Sequence, residues 1–469
     1  MRPGAQVIAP DRLLTVLGDW SNRGSGNLAR RLAQALRAAI AGGLLGDGTR
    51  LPPERRLAEL AAVSRSTVTA ALDELRAEGL VVSRQGRGTE VVGPVEEVPT
   101  GYRVGSNCLA HGGVDLAAVV PTDGSHLPDL VLRTADIVAA QGHLEPNGVP
   151  ALREALAERF SRLIRPTDPA EIQVTHGTHH ALALAMDAFV RPGATVLVDD
   201  PTYPGLLDAL DHRQGRAVAI PGDGGGPDPE ALARLLRERR PVLVYLQAGP
   251  HNPTGRVIGA GRRQAIAAAL DEHGDAILFE DAALADLTFG GRPGPSFSAL
   301  CRIAPVITAE SCSKVSWATL RLGWIRATGP VAQRLERTRF ASDLGVSAPA
   351  QLLGLQLLPH LDELAATRRA DIEDQVDAAL DHLARALPDW RVRRPEGSSS
   401  LWPELPIGDT EAFVALARRH GVHVSPGSAH RVAGGPDPHI RICVDRPAQH
   451  VAEGLDRLAA AWHDLGTRA

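Results

Sequence analysis

The chain contains 50 Lys and Arg residues, and only one of them, Lys314, is lysine. A guanidinium serves any exposed cationic role but stays protonated, whereas a desolvated lysine amine can act as a nucleophile. Lys314 stands in Ser311-Cys312-Ser313-Lys314, and Arg321-Leu322-Gly323 begins seven residues later. A Schiff base to pyridoxal 5′-phosphate needs one primary amine held beside hydroxyl and guanidinium donors for the phosphate. Ser311, Ser313 and Arg321 supply those donors at this spacing, so the one lysine stands where an amine has work to do. Plain Arg-for-Lys bias is the alternative explanation of the composition.

Further pieces occur in a compatible order. Asp281 follows the apolar run ending in Phe279-Glu280, and a carboxylate at a strand's C-terminal end can keep a pyridine nitrogen protonated. Asn252, in His251-Asn252-Pro253-Thr254-Gly255, can hydrogen-bond the ring oxygen. Gly177-Thr178-His179 lies between an expected strand at 171–175 and an expected helix at 180–190, a helix N-terminus suited to phosphate. Tyr203, in Pro201-Thr202-Tyr203-Pro204, can stack on the ring, and Arg441 can take a ligand carboxylate through two parallel hydrogen bonds. Singly, each has an ordinary structural explanation: a capping aspartate, an Asn-Pro turn, a buried loop tyrosine, a structural salt bridge. No metal site is expected. Cys108, Cys301, Cys312 and Cys443 are far apart, which indicates neither zinc nor a disulfide framework and fits a reducing compartment.

These residues require a scaffold, and 469 residues suffice for two to four domains. Net charge is −5, but residues 1–93 carry 13 Arg against 9 Asp and Glu, which marks a separate basic module. Leu28, Leu32, Leu36 and Ile40 recur at helical spacing over 27–41, and Gly42-Gly43 ends that helix. A short helix is expected at 55–61 and a third at 67–78, capped by Ser64 or Ser66. Two strands around Gln85-Gly86-Arg87-Gly88 complete a winged helix-turn-helix. Residues 94–118 read as a linker. From 119 onward, runs such as Val242-Leu243-Val244-Tyr245 and Ala276-Ile277-Leu278-Phe279 alternate with amphipathic helices. That pattern predicts a doubly wound α/β large part over 119–340, followed by a smaller α+β part over 341–469. No apolar run reaches membrane-spanning length and no signal pattern opens the chain, so a cytoplasmic protein is expected.

A helix-turn-helix presents the start of its third helix to the major groove of double-stranded DNA. Here that start is Ser64-Arg65-Ser66-Thr67. Arg65 can fork onto guanine, while Ser66 and Thr67 can meet phosphate or a thymine methyl. Arg55 and Arg56 are placed for phosphates, and Arg84 and Arg87 flank the wing glycines near the minor groove.

Leu51-Pro52-Pro53-Glu54-Arg55-Arg56-Leu57-Ala58, Ser64-Arg65-Ser66-Thr67-Val68, Glu78-Gly79-Leu80 and Gly86-Arg87-Gly88-Thr89 together resemble the GntR-family DNA-binding domain. The pieces around Lys314, over about 120–469, resemble a fold-type I aminotransferase. The fusion resembles the MocR regulators, and Ser313-Lys314-x-x-Trp317 with Asp343-Leu344-Gly345 resembles a YczR-like subgroup of them. The resemblance implies a head-to-tail homodimer whose aminotransferase half senses the cofactor, an amino acid or amine, or both. It further implies Lys314 as the internal-aldimine lysine, Asp281 at the pyridine nitrogen and Asn252 at the 3′-oxygen. Thr178, Ser311 and Arg321 would contact phosphate, Tyr203 the ring face and Arg441 the carboxylate. Two departures stand out. Ala283 occupies the place of a tyrosine that hydrogen-bonds the 3′-oxygen, and His143 aligns with a tyrosine that reaches the partner subunit's phosphate. Both losses favour a sensor with little or no physiological turnover over a working aminotransferase that carries a DNA-binding domain.

Overall fold

The computed structural model describes residues 8–22, 26–41, 44–45, 48–84, 88–92, 103, 113–121, 124–140 and 145–466. The first unit contains α1 (Pro10–Leu17), α2 (Leu28–Ala41), α3 (Glu54–Leu60), α4 (Arg65–Ala77), β1 (Val81–Arg84) and β2 (Gly88–Val91). Leu32, Leu36 and Ile40 of α2 meet Leu57, Val68, Leu72 and Leu75 in one core, whereas Leu28 at the helix start stays exposed. The third helix begins at Arg65, two residues before the expected start. The Ser64 hydroxyl accepts the Thr67 amide at 3.1 Å, satisfying a donor that the first turn leaves over. β1 and β2 pair antiparallel with Val81 opposite Val91, both buried. α1, which is absent from the sequence-based expectations, buries Leu13, Leu14 and Leu17 against the same core.

The second unit has β3 (Val114–Asp115), β4 (Ile172–Thr175), β5 (Thr195–Val198), β6 (Arg216–Ala219), β7 (Gly222–Asp223), β8 (Gly226–Pro227), β9 (Leu243–Gln247), β10 (Ile277–Asp281), β11 (Val306–Ser311) and β12 (Gly323–Arg326). Its smaller part adds β13 (Ser400–Leu401), β14 (Val422–His423), β15 (Ser425–Pro426) and β16 (Ile440–Cys443). Seven strands form the main sheet in the order β4-β12-β11-β10-β9-β5-β6. All run parallel except β12, which is antiparallel to both of its neighbours. The stretch between β11 and β12 holds no crossover helix, and a return without one is antiparallel. All five residues of β9 are buried, as a strand covered by helices on both faces requires. Tyr245 and Phe279 pack with the helix Thr178–Phe189 on one face. Val244 and Leu278 pack with the helices Pro229–Arg239 and Ala260–His273 on the other.

In the smaller part, β13-β16-β15 is covered by the helices Leu361–Ala386 and Ala448–Gly466, and Trp390, Phe413 and Trp462 meet edge-on. β3 lies inside the interval read as linker, yet it pairs in parallel with β14, and Val114 and Leu116 enter the core. A two-residue strand is too short to display a periodicity. The first unit rests on the helix Glu411–Arg419, where Ala415 packs against its core and Asp409 of the preceding loop pairs with Arg56. Among the described residues, no helix is long and apolar enough to cross a membrane.

Candidate cofactor pocket and DNA-reading head

Loops leaving the C-terminal ends of β4, β5, β9, β10 and β11 enclose a cavity of about 310 Å³. Ligands bind at this edge of open α/β sheets, because strand ends and helix N-termini converge there. The turn after β4 places Gly177 at the N-cap of the helix Thr178–Phe189 with φ +84°. A Cβ at Gly177 would sit 3.2 Å from Arg321 Nη2, which donates to the His176 carbonyl at 2.7 Å. Arg321 itself has φ +52°, a left-handed conformation costing a non-glycine residue about 1–2 kcal/mol. It brings the guanidinium against the turn after β4. Thr178 Oγ1 and Ser313 Oγ are buried without a hydrogen-bond partner among the described residues. Two orphaned hydroxyls, a helix N-terminus and a guanidinium fit a phosphate monoester. Ser311, at the end of β11, lines the same cavity.

Lys314 lies on the turn after β11, and its Nζ donates to the Val119 carbonyl. Burial is the largest influence on its amine and lowers the pKa; Arg441 pushes the same way, while Cys443, Asp445 and Asp281 oppose. A lowered pKa makes the nucleophilic neutral amine easier to reach. Asp281, at the end of β10, accepts from Tyr245 Oη at 2.6 Å and from the Ala283 amide at 3.0 Å. Burial raises its pKa; the two donors and Lys314 act against that without cancelling it.

Asn252 is oriented from three sides. Gln247 clamps its backbone, accepting from the Asn252 amide at 2.8 Å and donating to the Asn252 carbonyl at 3.0 Å. Asn252 Oδ1 accepts from Arg441 Nη1 at 2.9 Å, which leaves the Nδ2 protons available to a ligand. Arg441, buried on β16, also donates to the Ala117 carbonyl at 2.6 Å. Tyr203 Oη lies 3.3 Å from His179 Nδ1, with the two rings edge-on, and burial lowers the His179 pKa.

One cavity is therefore lined by Lys314, Asp281, Asn252, Tyr203, Thr178, His179, Ser311, Ser313, Arg321 and Arg441, with Gly177 beside Arg321 in the turn after β4. His143 lies outside the described residues. Sequence reasoning missed Gln247, the Ala117 and Val119 carbonyls, and Tyr245. Gln247 had a faint signal in its nearness to Asn252. Tyr245 had none, because it reaches Asp281 from a neighbouring strand 36 residues away. Beside the turn after β4, His176, His180 and Asp343 stand at metal-ligand spacing. The His176 amide donates to His180 Nδ1 at 3.0 Å, so Nε2 carries the ring proton and faces Asp343 at 2.8 Å. The group ties the turn after β4 to the loop that follows the helix Gly329–Ser342.

In the head, the Ser64 hydroxyl that caps the Thr67 amide lies 2.8 Å from the hydroxyl of Ser66 and 2.7 Å from that of Thr67. Arg55 and Arg65 are highly exposed; Arg55 reaches Glu59 at 3.3 Å and Arg65 is 4.0 Å from Glu54. Arg56 differs from them, because it pairs with Asp409 of the second unit as well as with Glu59. Arg84 ends β1 opposite Gly88. Its side chain and the whole of Arg87 lie outside the described residues.

Fold and cavity together define a class: a pyridoxal-phosphate-type aminotransferase fold joined to a helix-turn-helix head. Residues 114–459 match the family model for aminotransferase class I and II, and residues 28–91 match that for bacterial regulatory proteins of the gntR family. The chain belongs to the class I and II aminotransferase family and carries a gntR-family head, which is the MocR-type architecture. YisV of Bacillus subtilis strain 168, an uncharacterized HTH-type transcriptional regulator, is 28% identical over 450 residues, covering 88% of this chain and 91% of that protein. The 2-aminoadipate transaminase of Thermus thermophilus is 31% identical over 345 residues, 71% of this chain and 84% of that protein. The crystal structure of LysN, the α-aminoadipate aminotransferase of Thermus thermophilus complexed with N-(5′-phosphopyridoxyl)-L-leucine, matches with a TM-score of 0.70. Its identity is 26%, over 79% of this chain and 97% of that one.

Proposed function

We infer that this chain is a cytoplasmic, DNA-binding transcriptional regulator whose aminotransferase half holds pyridoxal 5′-phosphate and responds to an amino acid or amine. One observation carries the reading. The single lysine of a chain with a gntR-family head lines a cavity that also holds a half-buried carboxylate and two hydroxyls that have no hydrogen-bond partner among the described residues. Bound there, the cofactor supplies an aldehyde for amine condensation and a ring that withdraws electrons.

The chain's own residues have separable tasks. Lys314, its pKa lowered by burial, offers the amine lone pair. Asp281 holds a proton at the ring nitrogen, and Asn252 Nδ2 donates to the ring oxygen. Ala283 adds no phenol there, so Asn252 is the one neutral side-chain donor assigned to that oxygen. Gly177, Thr178, His179, Ser311, Ser313 and Arg321 form the phosphate cradle, and Tyr203 covers a ring face. Arg441 takes the carboxylate of an amino-acid ligand in place of its present acceptors. In the head, Arg65 reads a base edge, while Arg55, Arg56, Ser64, Ser66 and Thr67, with Arg84 and Arg87 on the wing, serve the duplex backbone and minor groove. The exposure of Val131, Val138, Phe340 and Leu344 supports a second copy of the chain covering them. Arg441 on β16 and Asp409 against Arg56 belong to the same small part, a physical route from ligand to head.

The test is to add pyridoxal 5′-phosphate to the purified protein, record its absorption spectrum, and reduce with borohydride. Trapping is expected on Lys314 alone, and a Lys314→Ala variant that keeps the same absorption band overturns the assignment. A working aminotransferase is the second reading, favoured by the 31% identity to a transaminase. Sustained amino-group transfer to a keto acid at enzyme-like turnover would select it.

A further inference from the structure

The resemblance implies a phenol near Asp281 at the position where this sequence has Ala283. The structure shows a different phenol reaching that aspartate from below. Tyr245 on β9 is fully buried, stacks on Phe279 with ring centroids 5.8 Å apart, and donates its hydroxyl to Asp281 Oδ2 at 2.6 Å. The strand register places Tyr245 opposite Phe279, one pleat back from Asp281, so the hydroxyl rises along the sheet face to the carboxylate. The Ala283 amide takes the other oxygen.

We propose that Tyr245 is a positioning residue that fixes where the shared proton sits between Asp281 and the nitrogen of a bound pyridine ring. This rests on the cofactor reading above. A buried carboxylate and a ring nitrogen can share one proton in two ways, as carboxylate with pyridinium or as carboxylic acid with neutral pyridine. Desolvation favours the neutral pair, and a donor to the carboxylate favours the charged one. Among the described residues Tyr245 is the side-chain donor to Asp281, so its hydroxyl keeps the proton on the ring and the ring electron-withdrawing. Only the proton changes place between the two forms, and no bond to the chain is made or broken.

Tyr245→Phe removes one oxygen atom and leaves the ring stack. A charge-assisted hydrogen bond of this kind corresponds to about a ten- to hundredfold shift of the proton toward Asp281. The measurement is the ¹⁵N chemical shift of ring-labelled cofactor bound to the full chain, followed against pH. In the natural protein the resonance is expected at the pyridinium position. In Tyr245→Phe it moves toward the neutral-pyridine position at the same pH, and Tyr245→Met, which also lacks the hydroxyl, behaves alike. Phe279→Leu disturbs the stack but keeps the hydroxyl, and it should leave the resonance in place. An unmoved resonance in both Tyr245 variants, or an equal movement in Phe279→Leu, overturns the proposal while the cofactor reading stands. A natural protein that takes up no cofactor overturns both.

Discussion

Arg56 is, among the described residues, the expected phosphate contact that the aminotransferase half already holds, and Asp409→Ala tests what that hold does. In the docked arrangement the Arg56 guanidinium pairs with Asp409 and shares Glu59. Burial works against its charge, and the acids outweigh it, so its pKa is raised. The Arg56 side chain is 36% exposed and that of Asp409 19%, so solvent screens the pair substantially. A pair of this kind contributes about 0.5–1 kcal/mol, which bounds the gain on release at roughly two- to fivefold in DNA affinity. Phosphate contacts are independent of sequence, so fluorescence anisotropy with an arbitrary labelled duplex at two salt concentrations is sufficient. Asp409→Ala should tighten binding within that range. Arg56→Ala should weaken it and lower the salt slope by about 0.9. In the Arg56→Ala background, Asp409→Ala should add nothing, because its partner is gone. The reasoning is refuted if Asp409→Ala leaves affinity unchanged, or if its gain persists without Arg56.

Gly323 lies where β12 touches the turn proposed to hold phosphate, and a Cβ there would meet the Glu310 carbonyl and Gly177 Cα, each at 2.7 Å. Forcing it in costs about 1–3 kcal/mol, so Gly323→Ala should raise the cofactor Kd about tenfold or more in a spectroscopic titration; equal affinity would remove the steric argument. Asp199 is buried beside Arg256 and pushed up to about 6 from an ordinary 3.8. Because the folded value is the higher one, the stability it contributes is complete at acidic pH and is lost as pH rises through about 6. The Tm of Asp199→Asn relative to the natural protein should therefore climb across that window, and parallel Tm–pH curves would count against the shift. Arg65→Ala should cost about 1–3 kcal/mol at one base position; duplexes selected from a random pool should lose one guanine preference, and an unchanged motif contradicts the recognition-helix placement.

Much of the site is legible in the amino-acid sequence because its parts are local. Ser311 ends β11 and Ser313 and Lys314 lie on the turn that follows it, and Gly177-Thr178 forms the N-terminus of the helix it opens. Ser64 caps α4 through an amide three residues away. The large part is expected as a doubly wound sheet, and the alternation does mark its strands. The antiparallel turn of β12 stays hidden, because a short apolar run looks the same in either direction. The linker is expected to run to 118. β3, however, owes its existence to β14, about 300 residues further along, and two residues carry no pattern.

Residue type alone settled which atom can form an imine: one amine side chain, at Lys314, with hydroxyls and a guanidinium near it in sequence. It also settled that a basic, DNA-reading head stands before an acidic α/β body, since charge and helical spacing are written along the chain. Tertiary structure decided the pairings. It set Tyr245 under Asp281, Gln247 around Asn252, and Asp409 against Arg56. The reason is physical: a side chain's chemistry is covalent and travels with the residue. Its pKa, its orientation and its availability depend on strand order and on the packing of one unit against the other, and both are set only when distant segments are buried together.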